Sequence, residues 1–166
     1  MIADAPEPMA LVRPATTDAP MTSGCVFCEG EGGVCLWRDE RCRVVLADEP
    51  FPGFCRVVWN AHVAEMTDLA PADRDHLMDV VFAVEAALRA RLAPAKINLA
   101  SLGNLVPHLH WHVIPRYRDD SHFPQPVWGA AQRSGSARPL APDAPAALAR
   151  DLATALGAGS NATTTP

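Results

Sequence analysis

The chain has 166 residues, 49% of them apolar, which suits one domain with a modest core. Fourteen Lys and Arg against 19 Asp and Glu leave a formal net charge of −5, which argues against gripping a nucleic-acid backbone through a basic excess. A small anionic ligand needs only a local positive site and stays compatible with this balance.

Residues 1–23 are rich in Pro, Ala and Thr without periodicity and are expected to form a disordered arm. They lack an apolar h-region, so they do not read as a secretory signal. No apolar run approaches the roughly 18 residues of a membrane span. The five cysteines are Cys25, Cys28, Cys35, Cys42 and Cys55. An odd count without a signal peptide points to thiols in a reducing compartment, hence a cytoplasmic protein.

The ordered part is expected to be a single domain over 24–156. Val34 to Trp37 and Arg43 to Ala47 read as short strands, with Asp39 and Glu40 in the turn between them. Pro50, Pro52 and Gly53 punctuate the chain before a third strand, Phe54 to Trp59. A helix is expected to start at Thr67 or Asp68, with Pro71 in its first turn and Pro94 ending it. Leu77, Val80, Val81, Val84, Leu88 and Leu92 recur at spacings of three and four and form its apolar face. Ile97 to Ser101 and Leu109 to Ile114 are the remaining strands, with Gly103–Asn104 in a turn. Pro142 to Leu156 reads as a short C-terminal helix, and 157–166 as a disordered tail. Hairpins joined by short turns favour an α+β fold, an antiparallel sheet with one long packed helix.

Pro107-His108-Leu109-His110-Trp111-His112-Val113-Ile114 sets three histidines two residues apart. In a strand they share one face, while Leu109, Trp111 and Val113 face the core. Adjacent imidazoles then lie about 6.6 Å apart along the strand and the outer pair about 13 Å, so the three are expected to divide their work. From spacing alone, phosphorus chemistry and metal binding both stand, and a purely structural role follows behind. Cys25-x-x-Cys28 is half of a zinc site. A redox role for it lacks the βαβ surroundings such pairs usually have. Cys35, Cys42 and Cys55 read as packing residues.

His108-Leu109-His110-Trp111-His112-Val113-Ile114 resembles the signature of the histidine triad (HIT) family. Further segments resemble family features in the same order, over about residues 25–116: Cys25-Val26-Phe27-Cys28, Leu46-Ala47-Asp48, the strand ending in His62, and the polar run with Asn98, Gly103 and Asn104. The resemblance implies a homodimeric nucleotide hydrolase or nucleotidyl transferase that cleaves a P–N or phosphoanhydride bond. The substrate would be a nucleoside phosphoramidate or dinucleoside polyphosphate, and the intermediate a covalent nucleotidyl-histidine on His110. His112 would stabilise the developing charge. Asn98, Gly103 and Asn104 would hold phosphate oxygens, Asp48 the ribose, and Phe27 and Leu46 the base. It also implies a structural zinc on Cys25, Cys28, His62 and His108. Two other functions remain open: a nucleotide-binding module with little turnover, and a metal-dependent hydrolase with the triplet as ligands.

Two positions depart from the family pattern. Leu105 stands where many members carry Ser or Thr, and Gly53, Phe54 and Cys55 occupy a region where many carry another histidine. His76 is expected to be exposed. His122 is expected at the rim, Trp128 toward a partner subunit, and Arg116 against phosphate or an acidic neighbour.

Overall fold

The computed structural model describes residues 22–135 and 138–158. Most of the expected arm over 1–23 and of the expected tail over 157–166 lies outside those residues.

Chain order is α1 (Val26–Glu29), β1 (Val34–Arg38), β2 (Cys42–Leu46), β3 (Cys55–Trp59), α2 (Pro71–Leu92), β4 (Lys96–Ala100), β5 (His110–Arg116) and α3 (Ala144–Leu156). The five strands form one sheet in the order β1-β2-β3-β5-β4, antiparallel throughout. The expected α+β architecture is therefore present. No helix among the described residues is long and apolar enough to cross a membrane.

Strand alternation gives the sheet two different faces. Trp37, Val44, Val57, Trp59, Ile97 and Val113 point to one side and meet Leu77, Val80, Val81, Val84 and Leu88 of α2 in the main core. The apolar stripe of α2 thus does what its spacing predicts. The helix starts later than expected. Met66–Asp68 forms a separate 3-10 turn with reciprocal Glu65 and Asp68 capping contacts. Ala70, before Pro71, is extended (ψ 153°), as the proline ring requires, and Pro71 opens α2. At its far end Ala93 is left-handed (φ 43°).

Two further features shape this side. Gly53 has φ +81°, and a Cβ there would stand 2.5 Å from a Leu92 methyl, so the β2–β3 turn reaches α2 only through glycine. The C-terminal helix is two residues shorter than expected at its start. It adds Leu148 and Leu152 to the main core, and Trp37 Nε1–H donates to the Gly157 carbonyl beyond it (3.1 Å).

The opposite face carries Val45, Arg56, Val58, Asn98, Ala100, His110 and His112, as the strand registers require. It is covered by α1 and by loops. Arg43, buried in β2, holds α1 in place: its guanidinium donates to the carbonyls of Phe27 (2.6 Å), Gly30 (3.2 Å) and Glu31 (3.2 Å) and to Asn60 Oδ1 (3.1 Å).

Candidate active site and metal-ligand cluster

The histidine triplet does not run as one straight strand segment. Strand β5 begins at His110. Before it the chain bends: the His108 amide donates to the Val106 carbonyl (2.8 Å) and the Leu109 amide to Val63 (2.7 Å). His110 and His112 share the sheet face as ladder residues, and His108, ahead of the strand, reaches the α1 that covers that face. The strand starts one residue later than expected, at His110, but the expected division of sides holds: Phe27 packs on both His108 and His110, while Leu109, Trp111 and Val113 lie in or against the main core.

The partners of each imidazole fix where its proton sits. His108 Nε2–H donates to the Trp59 carbonyl (2.6 Å), which leaves its Nδ1 lone pair facing α1. His110 is reversed. Its Nδ1–H donates to the main-chain oxygen of His108 (2.6 Å), and its Nε2 lone pair is free. His112 Nδ1 is buried without a partner, so a proton there has no acceptor and belongs on Nε2. The rings of His110 and His112 meet edge to face at 4.7 Å.

Burial is the main cause that holds all three imidazoles below their ordinary pKa. For His110 the His108 carbonyl works against it and the charge of Arg56 with it. His112 is pushed down to about 3 by burial, then by His110 and Arg56. Both rings are neutral near pH 7, one presenting a nucleophilic nitrogen and the other an N–H donor. Phe27 packs on His110 (4.8 Å between centroids) and His108 (5.7 Å), Phe54 on His112 (5.4 Å) and Trp128 on His112 (5.0 Å).

The second cluster lies directly behind. His108 Nδ1 is 3.4 Å from Cys25 Sγ, 3.5 Å from Cys28 Sγ and 3.3 Å from His62 Nδ1, and Cys28 Sγ is 3.3 Å from that same nitrogen. One atom from each of the four residues lies within 4.8 Å of the others. A tetrahedral ion with bonds of about 2.0 Å to nitrogen and 2.3 Å to sulfur has edges of about 3.3 Å (N to N) and 3.5 Å (N to S). These side chains therefore have the spacing of a zinc ligand set. Burial keeps His108 neutral, the ligating form, and Trp59 sets its tautomer from behind, as outer partners of metal ligands do.

The remaining candidates are placed less centrally. Asn98 shares the triad face, but its Oδ1 accepts from the Arg116 guanidinium (2.7 Å). Gly103 (φ +75°) and exposed Asn104 lie in the β4–β5 loop, and Leu105 is 97% exposed. Asp48 is exposed beyond the end of β2, and Leu46 packs on the main core. Arg116 meets the acidic neighbour: its guanidinium pairs with Asp120 (2.8 and 3.0 Å) and donates to the Gln125 carbonyl (2.8 Å). His122 packs its ring on Phe51 at 5.4 Å.

Two expectations change. His76 is half-buried rather than exposed, because α2 turns it onto Asp39 (2.7 Å) beside the buried Cys42. Trp128 packs on its own chain's His112 and keeps about half of its surface exposed. Cys42 and Cys55 are core residues, as expected, whereas Cys35 is exposed on edge strand β1. Sequence reasoning missed Arg56, which pairs in register with His112, and Ser101, whose hydroxyl donates to the His110 carbonyl (2.8 Å). Alternation along β3 was the available signal for Arg56; nothing local marks Ser101.

Comparison with known proteins agrees with this geometry. The HIT domain family matches residues 32–119. A histidine triad protein from Bradyrhizobium japonicum is 30% identical, with a TM-score of 0.62 covering 74% of this chain and 92% of its own. One from Sinorhizobium meliloti 1021 is 29% identical, with a TM-score of 0.60 covering 75% and 90%. A Zn-bound histidine triad family protein from Mycobacterium smegmatis shares the fold at 22% identity and a TM-score of 0.55, covering 79% and 94%. No curated protein matched.

Proposed function

The chain belongs to the histidine triad (HIT) family, and on that premise we propose that it is a nucleotide hydrolase or nucleotidyl transferase working through His110. The family is one of nucleotide-binding hydrolases and transferases. The observation that carries the reading is the unequal partnering of two rings 4.7 Å apart: His110 Nδ1 meets the His108 carbonyl and the buried His112 Nδ1 meets no partner among the described residues.

His110 Nε2 attacks the nucleotide's phosphorus. An N–P bond forms and the bond to the leaving amine or phosphate breaks. The leaving group departs with the electron pair and takes up a proton from solvent. Water then attacks the nucleotidyl-imidazole, restores Nε2 and releases its proton to solvent. The His108 carbonyl steadies the positive charge that the ring gains on attack, by accepting from Nδ1–H. His112 Nε2–H donates to a phosphate oxygen as charge develops there. The substrate class is a nucleoside phosphoramidate or a dinucleoside polyphosphate. Asp48 is assigned to the ribose, Phe27 to the base, and Asn98, Gly103 and Asn104 to phosphate oxygens.

Zinc on Cys25, Cys28, His62 and His108 would supply a structural tie between α1, the chain after β3 and the start of the triad. The ligand spacing supports it, as does the zinc in the Mycobacterium smegmatis relative. A homodimer is supported by β4, an edge strand, and by the exposed apolar Leu102 and Trp128 nearby; sedimentation measures it. The free thiols favour the cytoplasm. Incubation with an adenosine phosphoramidate and with diadenosine polyphosphates, with and without chelator, tests the activity. Chelator-resistant turnover supports His110 chemistry. Binding without turnover means a binding module. Turnover lost to chelator and restored by metal, in protein that stays folded, means a metal-dependent hydrolase.

A further inference from the structure

The two imidazoles that would meet the phosphate are packed among the rings of Phe27, Phe54 and Trp128, so they offer an incoming anion few donors. Neither Phe54 nor Leu105 supplies a donor. A phosphate that settles among these rings is stabilised by a cation within reach.

The sheet registers put five basic residues on the triad face: Arg38, Arg43, Arg56, Lys96 and Arg116. Arg38 lies on the far edge strand β1 and is paired with Glu31. Arg43 is occupied by carbonyls of α1 and the residues after it. Arg116 is 1% exposed and is held by Asp120, Asn98 and Gln125. Lys96 pairs in register with Arg116, at the end of β5 away from the catalytic pair. Arg56 is the exception. Its Cα is the register partner of His112 and its neighbour Val58 faces two residues along at His110. Its guanidinium lies 5.3 Å from the Phe54 ring, which lies 5.4 Å from His112.

The present partners of Arg56 are replaceable. One is the Glu49 carboxylate, on a side chain 34% exposed. The other is the Gly32 carbonyl at 3.4 Å, a long contact. A partly exposed ion pair of this kind is weak, whereas a guanidinium matches the oxygens of a phosphate with two parallel donors.

We infer that Arg56 is the anion-binding residue of the triad site, holding a non-reacting phosphate oxygen, with Glu49 as the resident counter-ion that the phosphate displaces. This rests on the nucleotide reading given above. It assigns the positive site that a chain of net charge −5 needs for an anionic substrate.

The test is calorimetric binding of AMP, adenosine and inorganic pyrophosphate to the parent, Arg56→Gln, Arg56→Lys and Glu49→Gln, with thermal melts as a fold control. Arg56→Gln should weaken AMP at least tenfold and leave adenosine unchanged. Arg56→Lys should recover part of the loss, and Glu49→Gln should bind AMP more tightly than the parent. Equal AMP affinity in the parent and Arg56→Gln overturns the assignment. So does a parallel loss of adenosine, which would mark a general disturbance of the pocket. If the parent binds pyrophosphate through Arg56 but neither AMP nor adenosine, the nucleotide reading fails while the anion site stands. If it binds no phosphate-bearing probe, both fail.

Discussion

His110 and His112 stand 4.7 Å apart between ring centroids and carry their protons on opposite nitrogens. The cause is unequal partnering. The His108 carbonyl takes the Nδ1 proton of His110, and nothing takes one from Nδ1 of His112. Two residues of one type on one strand face thereby offer a lone pair and an N–H side by side.

The first prediction separates His112 from His108. His112→Ala should keep metal and stability and slow the chemical step by about 10²–10³, roughly 3–4 kcal/mol, the cost of one lost donor to a developing oxyanion. His108→Ala should lose metal and stability, with activity falling as the fold is lost. Zinc content, thermal melts and single-turnover rates on both variants decide. If both keep full metal and lose only chemistry, His108 belongs to the phosphate site.

Metal content is the second. Protein purified without chelator should carry about one zinc per chain. Cys28→Ser should lower metal content and melting temperature more than it lowers the intrinsic rate. Elemental analysis that finds no zinc removes the ion from the account.

The pH dependence of the rate follows from His112. Its pKa is pushed down to about 3, chiefly by burial, so the ring stays neutral throughout the range in which a free histidine titrates. The nucleophile His110 is also held below the ordinary histidine value, chiefly by burial, so the acid limb of the single-turnover rate should lie below about 6.5. An acid limb centred near the ordinary histidine value, about 6.5, contradicts a neutral pair.

Acid stability follows from Asp120. Burial alone would raise its carboxyl, but hydrogen bonds from Arg116 and from the amides of His122, Phe123 and Tyr117 outweigh that and hold it at about 2, below its ordinary 3.8. A depressed carboxyl contributes stability that is full above pH 3.8 and lost as pH falls through 2, about 2 kcal/mol in all. Asp120→Asn should lose stability at neutral pH and show a shallower acid dependence over that window. Denaturant melts at pH 7 and pH 2.5 measure both; parallel curves for parent and variant refute the assignment.

Much of this was legible because period and punctuation are local. The α2 stripe follows from leucines and valines three and four apart, and Pro71 announces the helix start more sharply than Thr67 or Asp68. The triad was visible as spacing, but its division was not. The bend at His108 depends on hydrogen bonds to Val106 and from Leu109 to Val63. The proton positions depend on the Trp59 and His108 carbonyls. The four cysteine and histidine ligand candidates come from three separate segments, and family resemblance linked them before the geometry did. Arg56 and Trp128 reach the site through sheet register and a loop path, which no local pattern encodes.

The most direct measurement is mass spectrometry of protein quenched during turnover of an adenosine phosphoramidate, followed by peptide mapping. The account predicts a nucleotidyl adduct on the His110 nitrogen that forms and decays at rates able to carry turnover, and its absence from an inactive His110→Ala variant. Turnover without any adduct, an adduct on His112 instead, or His110→Ala activity within tenfold of the parent would contradict it.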